Sequence, residues 1–214
     1  QVAHEIKNPL TPMKLSIQYL QNAVERGAPN VQELSLKLAR TLIEQIDQLA
    51  KIAGDFSQFA NIGNVKLEKF SIIPILESFQ HLYEGDNSVI IDLNNQARVV
   101  TIESDKVQIN RLFMNLIQNA IEAGKEVSGN ARIQIRLKNE GNRLVIELQD
   151  FSGGIPASMK PNMFRPNFTT KSAGTGLGLA ICKGIVEQAN GQINYQSTDG
   201  VGTVFTIEFP IADI

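Results

Sequence analysis

The hydrophobic period of this 214-residue chain changes once, and that change limits what it can fold into. Up to the Asn61-Ile62-Gly63-Asn64 break, apolar residues recur at helical spacing; beyond it the patterns are mixed and largely alternating. A period of 3.6 and a period of 2 bury surfaces of different shape. Two units are therefore expected, residues 1–63 and 65–214.

The first unit reads as an all-α hairpin. At 100° per residue with Ile6 as zero, Leu10, Met13, Ile17, Leu20 and Val24 fall within about 40° of Ile6 and make one packing face. Gly27-Ala28-Pro29-Asn30 breaks this helix after about Arg26. A second helix carries Leu34, Leu38, Leu42, Ile46, Leu49, Ala53, Phe56 and Ala60 in coiled-coil-like steps. Two helices alone bury too little to be stable, so the hairpin is expected to double into a four-helix bundle, making the chain a homodimer. His4, Asn8 and Thr11 fall at about 160°, 200° and 140°, on the side facing away from the stripe. An outward helical histidine is usually plain surface, and only its company makes it a site. Pro9 and Pro12 each remove a backbone donor inside this helix, so a bend is expected beside His4.

The second unit reads as α+β. Strand-like runs occur at Val65–Phe70, Val89–Leu93, Arg98–Ile102 and Arg132–Lys138, and Leu144, Ile146 and Leu148 continue the alternation after a turn. One sheet face is buried and the other is wet. By that parity Asp150 points the same way as Leu148, inward, where a carboxylate needs a partner. The ordinary alternative is a strand-end aspartate that caps the next turn. A helix over Ser104–Ala123 places Asn115 and Asn119 one turn apart at the edge of its apolar stripe. Neutral amide oxygens suit Mg²⁺, although border asparagines often bond only water or backbone. Gly174-Thr175-Gly176-Leu177-Gly178 runs into a helix reaching about Ala189, offering backbone N–H groups and a positive dipole end to phosphate. Phe151–Pro156 and Phe164–Lys171 add long connections of little periodicity, a feature of functional lids.

Composition narrows the function. Twenty Lys plus Arg against 22 Asp plus Glu, with no dense basic run, argues against nucleic-acid binding. The single cysteine, Cys182, fits a reducing compartment and reads as a small core residue. No apolar run approaches a membrane span and no signal peptide is visible, so a cytoplasmic location is expected. Because Gln1 already lies within a helix, the chain is expected to be part of something longer, with any sensor or membrane anchor upstream. His81 is expected on the surface of a helix over Ile72–Leu82.

Together these pieces resemble the two-component sensor histidine kinases over essentially the whole chain. His4-Glu5-Ile6-Lys7-Asn8-Pro9-Leu10 resembles the phosphoacceptor box, Asn115-Leu116-Ile117-Gln118-Asn119-Ala120 the N box, and Asp150–Gly154 the first glycine box. Phe164–Lys171 resembles the phenylalanine box, Gly174–Gly178 the second glycine box, and Gly200–Phe205 the closing hairpin. The His-Glu-Ile-Lys-Asn-Pro-Leu-Thr-Pro wording and the Asn-Ala-Ile-Glu-Ala ending are most similar to the nitrogen-regulation sensors.

The resemblance implies a dimeric helical hairpin followed by an ATP-binding α+β sandwich of the histidine kinase and chaperone ATPase type. His4 would take the γ-phosphate of ATP, Glu5 would orient or deprotonate its imidazole, and Asn8 would orient water for dephosphorylating a response regulator. Asn119 would ligate Mg²⁺ with Asn115 beside it, and Asp150 would accept from the adenine amino group. Gly154, Lys171, Gly174, Thr175, Gly176, Leu177 and Gly178 would complete the nucleotide site and its lid, with Thr169 and Thr170 helping it close. The implied partner is a receiver domain docking near Leu15, which lies outward at about 180°. Ser152 and Phe151 depart from the family's usual glycine and small or polar residue, and Glu122 stands where many relatives carry a base. A clamp-driving ATPase of the same superfamily and a non-catalytic dimerising scaffold are the rival readings. The His4 hairpin argues against the first, and the intact Asn119, Asp150 and glycine run against the second.

Overall fold

The computed structural model describes residues 2–60, 66–166, 168–169 and 176–212, with the side chains of 2–5, 51 and 55–60 excepted. They form two compact units, one helical and one α/β.

The helical unit is an antiparallel pair, α1 (Val2–Glu25) and α2 (Val31–Ala60). Helix α1 stays helical through Pro9 and Pro12. It ends in a left-handed turn at Gly27, φ +62°, where Gly27 N donates to Val24 O at 3.0 Å and Ala28 N to Ala23 O at 3.0 Å. That paired capping satisfies the last carbonyls and reverses the chain. The faces left over are apolar. Ile6, Leu10, Ile17 and Val24 on α1, and Leu36, Ile43 and Ile46 on α2, are exposed in the single chain. Leu34, Leu38, Leu42 and Leu49 are half-buried.

In the α/β unit, β1 (Glu68–Ser71) pairs antiparallel with β3 (Thr101–Ser104). Helix α3 (Ile73–Leu82) lies between β1 and β2 (Val89–Asn95) in sequence and exposes His81. Helix α4 (Lys106–Ser128) then leads to the hairpin of β4 (Ala131–Glu140) and β5 (Arg143–Asp150). After a 3₁₀ turn at Lys160–Asn162 come α5 (Gly178–Gln188), β6 (Gln192–Thr198) and β7 (Gly202–Pro210). The five-stranded sheet has the order β2-β4-β5-β7-β6, with β2 and β4 parallel and the other pairs antiparallel. The parallel pair requires a crossover, which α4 supplies.

Alternation builds this sheet. Ile133, Ile135 and Leu137 of β4 are fully buried, as are Leu144, Ile146 and Leu148 of β5, and Ile109, Phe113, Leu116 and Ile117 of α4 join the same core. The opposite face is charged: Arg132 pairs with Asp92 at 3.2 Å, and Lys138 with Glu147 at 2.9 Å.

Among the boundaries that differ from those expected, three have a clear physical cause. Helix α4 runs past Ala123 because Gly124 lets Ala131 of β4 approach to a distance no side chain would permit, and it stops at Gly129, φ +76°. Pairing of β3 starts at Thr101 rather than Arg98, because the Asn139 side chain takes Arg98 N at 2.8 Å and Val99 N at 3.0 Å in place of a strand neighbour. Strand β1 begins at Glu68, after Lys66 N has been taken by the Asp105 carboxylate at 3.0 Å.

Asp105 also caps α4, accepting Val107 N at 2.9 Å and Gln108 N at 3.1 Å. Asp105→Ala should cost about 2 kcal/mol, the upper range for a cap, because Lys66 N loses its acceptor as well. A urea midpoint unchanged from wild type would contradict this.

Cys182 sits on α5 facing α4, its Sγ 3.8 Å from Leu112 O. Burial pushes its thiol up from 9.0 to about 12, against the opposing effects of the Asn115 amide and the Arg111 charge. The folded thiol holds its proton more tightly than the unfolded one, so this contribution is complete below pH 9.0 and is lost as pH rises toward 12. The native thiol should therefore leave a colorimetric thiol reagent unreacted at about pH 8 and react once guanidinium is added. Fast reaction of the native protein would show the burial to be wrong.

Candidate functional site

Strand parity carries Asp150 inward at the end of β5, where it is only 5% exposed. A buried carboxylate is tolerable when donors surround it. Here all of them converge on one oxygen: Oδ1 accepts Ser152 N at 3.1 Å, Thr203 N at 3.2 Å and the Ser152 hydroxyl. Oδ2 accepts from none of the described residues. One oxygen fastens the side chain and the other is available to a ligand's N–H.

The register of the sheet produces this arrangement. Asp150 stands opposite Thr203 in the β5–β7 pair, so the Thr203 amide lies beside the carboxylate. Gly202, φ +137°, precedes it, and a Cβ there would overlap the Asp150 carbonyl oxygen. Gly154, φ +73°, is held equally close, since a Cβ would overlap Thr198 O. Only glycine fits these two positions. Between them, Gly200 N donates to Gly153 O at 2.7 Å and ties the β6–β7 turn to the segment leaving β5.

The connection that follows is anchored on β6. Ile155 N donates to Ser197 Oγ at 2.7 Å, and Ser197 Oγ is 3.0 Å from Thr203 Oγ1. Lys160 Nζ donates to Ser197 O and Tyr195 Oη to Lys160 O, each at 2.7 Å. Phe164 meets the Tyr195 ring edge-on, with centroids 5.8 Å apart. The stretch of little periodicity is thus fixed at its base by side chains the sequence reading did not single out.

Asn115 and Asn119 are half-buried one turn apart on α4, as the spacing implies. The Asn115 amide acts to lower the pKa of the Cys182 thiol, so it also belongs to the α4–α5 contact. Glu122 accepts Gln118 Nε2 at 3.1 Å. Gly176 has φ +63°, Leu177 is buried, and Gly178 opens α5. Lys171, Gly174 and Thr175 lie outside the described residues, as does Thr170. Among the described residues no group of three or more His, Cys, Asp and Glu could hold a metal ion. Neutral amide oxygens on α4, completed by phosphate and water, fit Mg²⁺ better than a softer metal.

His4 and Glu5 belong to the first turns of α1, and their side chains lie outside the described ones. Asn8, one turn on, is exposed, and Leu15 is 60% exposed. With Lys7, Leu10, Thr11, Lys14 and Gln18, Leu15 lines a shallow groove along α1. No described helix is long and apolar enough to cross a membrane.

Ser152, Thr203 and Ser197 are the residues the sequence did not mark as site residues. A serine where relatives carry glycine was the one legible signal. The other two become visible only once register sets β7 and β6 beside Asp150.

Comparison with known proteins places these units. Residues 1–65 match the His Kinase A (phospho-acceptor) domain, and residues 104–213 match the histidine kinase-, DNA gyrase B-, and HSP90-like ATPase family. The sensor histidine kinase ZraS of Escherichia coli (strain K12) is 30% identical over 213 residues, which cover 98% of this chain and 44% of the relative. The nitrogen regulation protein NtrY of Azorhizobium caulinodans is 28% identical over 197 residues, covering 90% of this chain and 26% of the relative. The chain thus spans less than half the length of these relatives. Among solved structures, a nucleotide-free catalytic domain of histidine kinase ThkA is 29% identical, with a TM-score of 0.60 over 68% of this chain and 96% of that one. ThkA in complex with response regulator protein TrrA shares the fold at a TM-score of 0.71 and 23% identity, over 99% of this chain and 60% of that one. With a phospho-acceptor hairpin preceding a sandwich that keeps one oxygen of a buried aspartate open, the chain belongs to the sensor histidine kinases of the histidine kinase-, DNA gyrase B-, and HSP90-like ATPase family.

Proposed function

We propose that residues 1–63 are the dimerisation and phosphotransfer hairpin and residues 65–214 the ATP-binding domain of a kinase that phosphorylates itself on His4 and passes the phosphoryl group to an aspartate of a response regulator. The carrying observation is the half-filled carboxylate of Asp150, whose Oδ2 suits the exocyclic amino group of adenine, on a chain whose start matches a phospho-acceptor domain. In the transfer, a ring nitrogen of His4 attacks the γ-phosphorus. An N–P bond forms, the bond to the β–γ bridging oxygen breaks, and ADP leaves. Glu5 would orient the imidazole or take its proton, since the attacking nitrogen needs a free lone pair. Asn119, with Asn115 beside it, would hold Mg²⁺ through an amide oxygen, and the ion when bound would neutralise phosphate charge. Gly154, Lys171, Gly174, Thr175, Gly176, Leu177 and Gly178 would line the nucleotide and its lid, with backbone N–H groups turned to phosphate.

The exposed apolar faces of α1 and α2 support a homodimer, since a second copy would cover what one hairpin leaves wet. The groove at Leu15 supports receiver docking near His4, in keeping with the response regulator bound to ThkA in its complex. Use of ATP would place this core in the cytoplasm.

Incubation with γ-labelled ATP and Mg²⁺ should put acid-labile, base-stable label on the chain, and His4→Ala should abolish it. Phosphate release without label on protein would overturn the kinase reading in favour of a clamp ATPase. Asn8 matches the position that orients water in regulator dephosphorylation. Asn8→Ala should therefore leave autophosphorylation near wild type and slow regulator dephosphorylation by about ten-fold or more. Equal loss of both rates would sink the phosphatase role.

A further inference from the structure

The resemblance to the first glycine box implies glycine two residues after Asp150, where this chain has Ser152. The side chain is buried, and both its hydroxyl and its backbone N–H go to Asp150 Oδ1. We propose that Ser152 is a positioning residue for nucleotide specificity, its hydroxyl fixing the plane of the Asp150 carboxylate so that Oδ2 meets a purine 6-amino group. This rests on the reading that Asp150 recognises that amino group.

The terminal torsion of an aspartate is broad, so rotamer preference alone does not set the carboxylate plane. Its donors do. Two of the three on Oδ1 are backbone amides, at 3.1 and 3.2 Å, toward the long end of ordinary hydrogen bonds. The hydroxyl is the one side-chain donor to this oxygen. It reaches in from the loop that leaves β5, while Thr203 N reaches from β7 on the other side of the strand pair. The Ser152 and Thr203 amides reach the carboxylate from these two elements, and the hydroxyl adds a third donor that limits its rocking. Since none of the described residues donates to Oδ2, its direction depends wholly on how firmly Oδ1 is held.

The consequence is discrimination at purine position 6. An amino group there donates to Oδ2, hydrogen offers nothing, and a carbonyl sets lone pair against lone pair. A rigid carboxylate sharpens these differences, because a ligand donor loses strength steeply as its angle departs from linear.

The test measures binding of ADP and of purine riboside diphosphate, which lacks the 6-amino group, to the full chain by calorimetry. Wild type should prefer ADP. Ser152→Ala should weaken ADP by about five- to ten-fold and leave the analogue within about two-fold, so that the preference collapses. Ser152→Gly, which restores the family's usual residue, should do the same and serves if the alanine variant folds poorly. Equal weakening of both ligands would mean that the hydroxyl only shapes the loop, and would overturn the proposal; so would an unchanged ADP affinity. Asp150→Asn separates the two levels. If it removes the ADP preference while Ser152 variants keep it, the role of Ser152 fails and the reading of Asp150 stands. If wild type and Asp150→Asn both bind the two ligands alike, the reading of Asp150 fails and this inference falls with it.

Discussion

Burial of one face of the five-stranded sheet against its helices is the constraint from which the proposed nucleotide site follows. Strands β4 and β5 alternate apolar and polar residues, and the apolar set can be dry in only one register. With that register fixed by Ile133, Ile135, Leu144, Ile146 and Leu148, the parity of β5 leaves Asp150 no outward option. An inward carboxylate would be costly by itself. The same register brings the Thr203 amide opposite, and Gly202 and Gly154 remove the side chains that would keep the β6–β7 turn away. Core packing thus fixes where the polar site is and which of its atoms stay open.

The helical unit follows a different logic. Its two helices share an apolar seam too wide for one hairpin to close, so hydrophobic burial within the chain is incomplete. A sheet under helices is a self-sufficient core, whereas a helix pair calls for more helices. One chain therefore carries a unit that completes its own core and a unit that leaves apolar surface uncovered in the single chain.

Much of this was legible because it rests on periodicity. The change of period near residue 65, the inward direction of Asp150 and the i, i+4 amides of Asn115 and Asn119 all need only local geometry. The misread boundaries share a cause: each depends on a partner in another element. Gly124 continues a helix because Ala131 packs against it, and Arg98 stays out of the ladder because Asn139 supplies its acceptor. Ser152 was visible as a departure from its relatives, yet its aim at Asp150 could not be read from spacing. Thr203 and Ser197 required β7 and β6 to be placed first.

Asp105 shows how compactly such long-range ties can be built. One of its oxygens caps the first turn of α4, and the other grips the backbone of Lys66, thirty-nine positions earlier. The point where the chain enters the α/β unit is therefore bolted to the start of the helix that bears Asn115 and Asn119. A pull arriving along the backbone from upstream would be felt first at that helix rather than at a peripheral strand. The carboxylate acts as a mechanical coupling, and the element it couples is the one that bears the amides proposed to hold Mg²⁺.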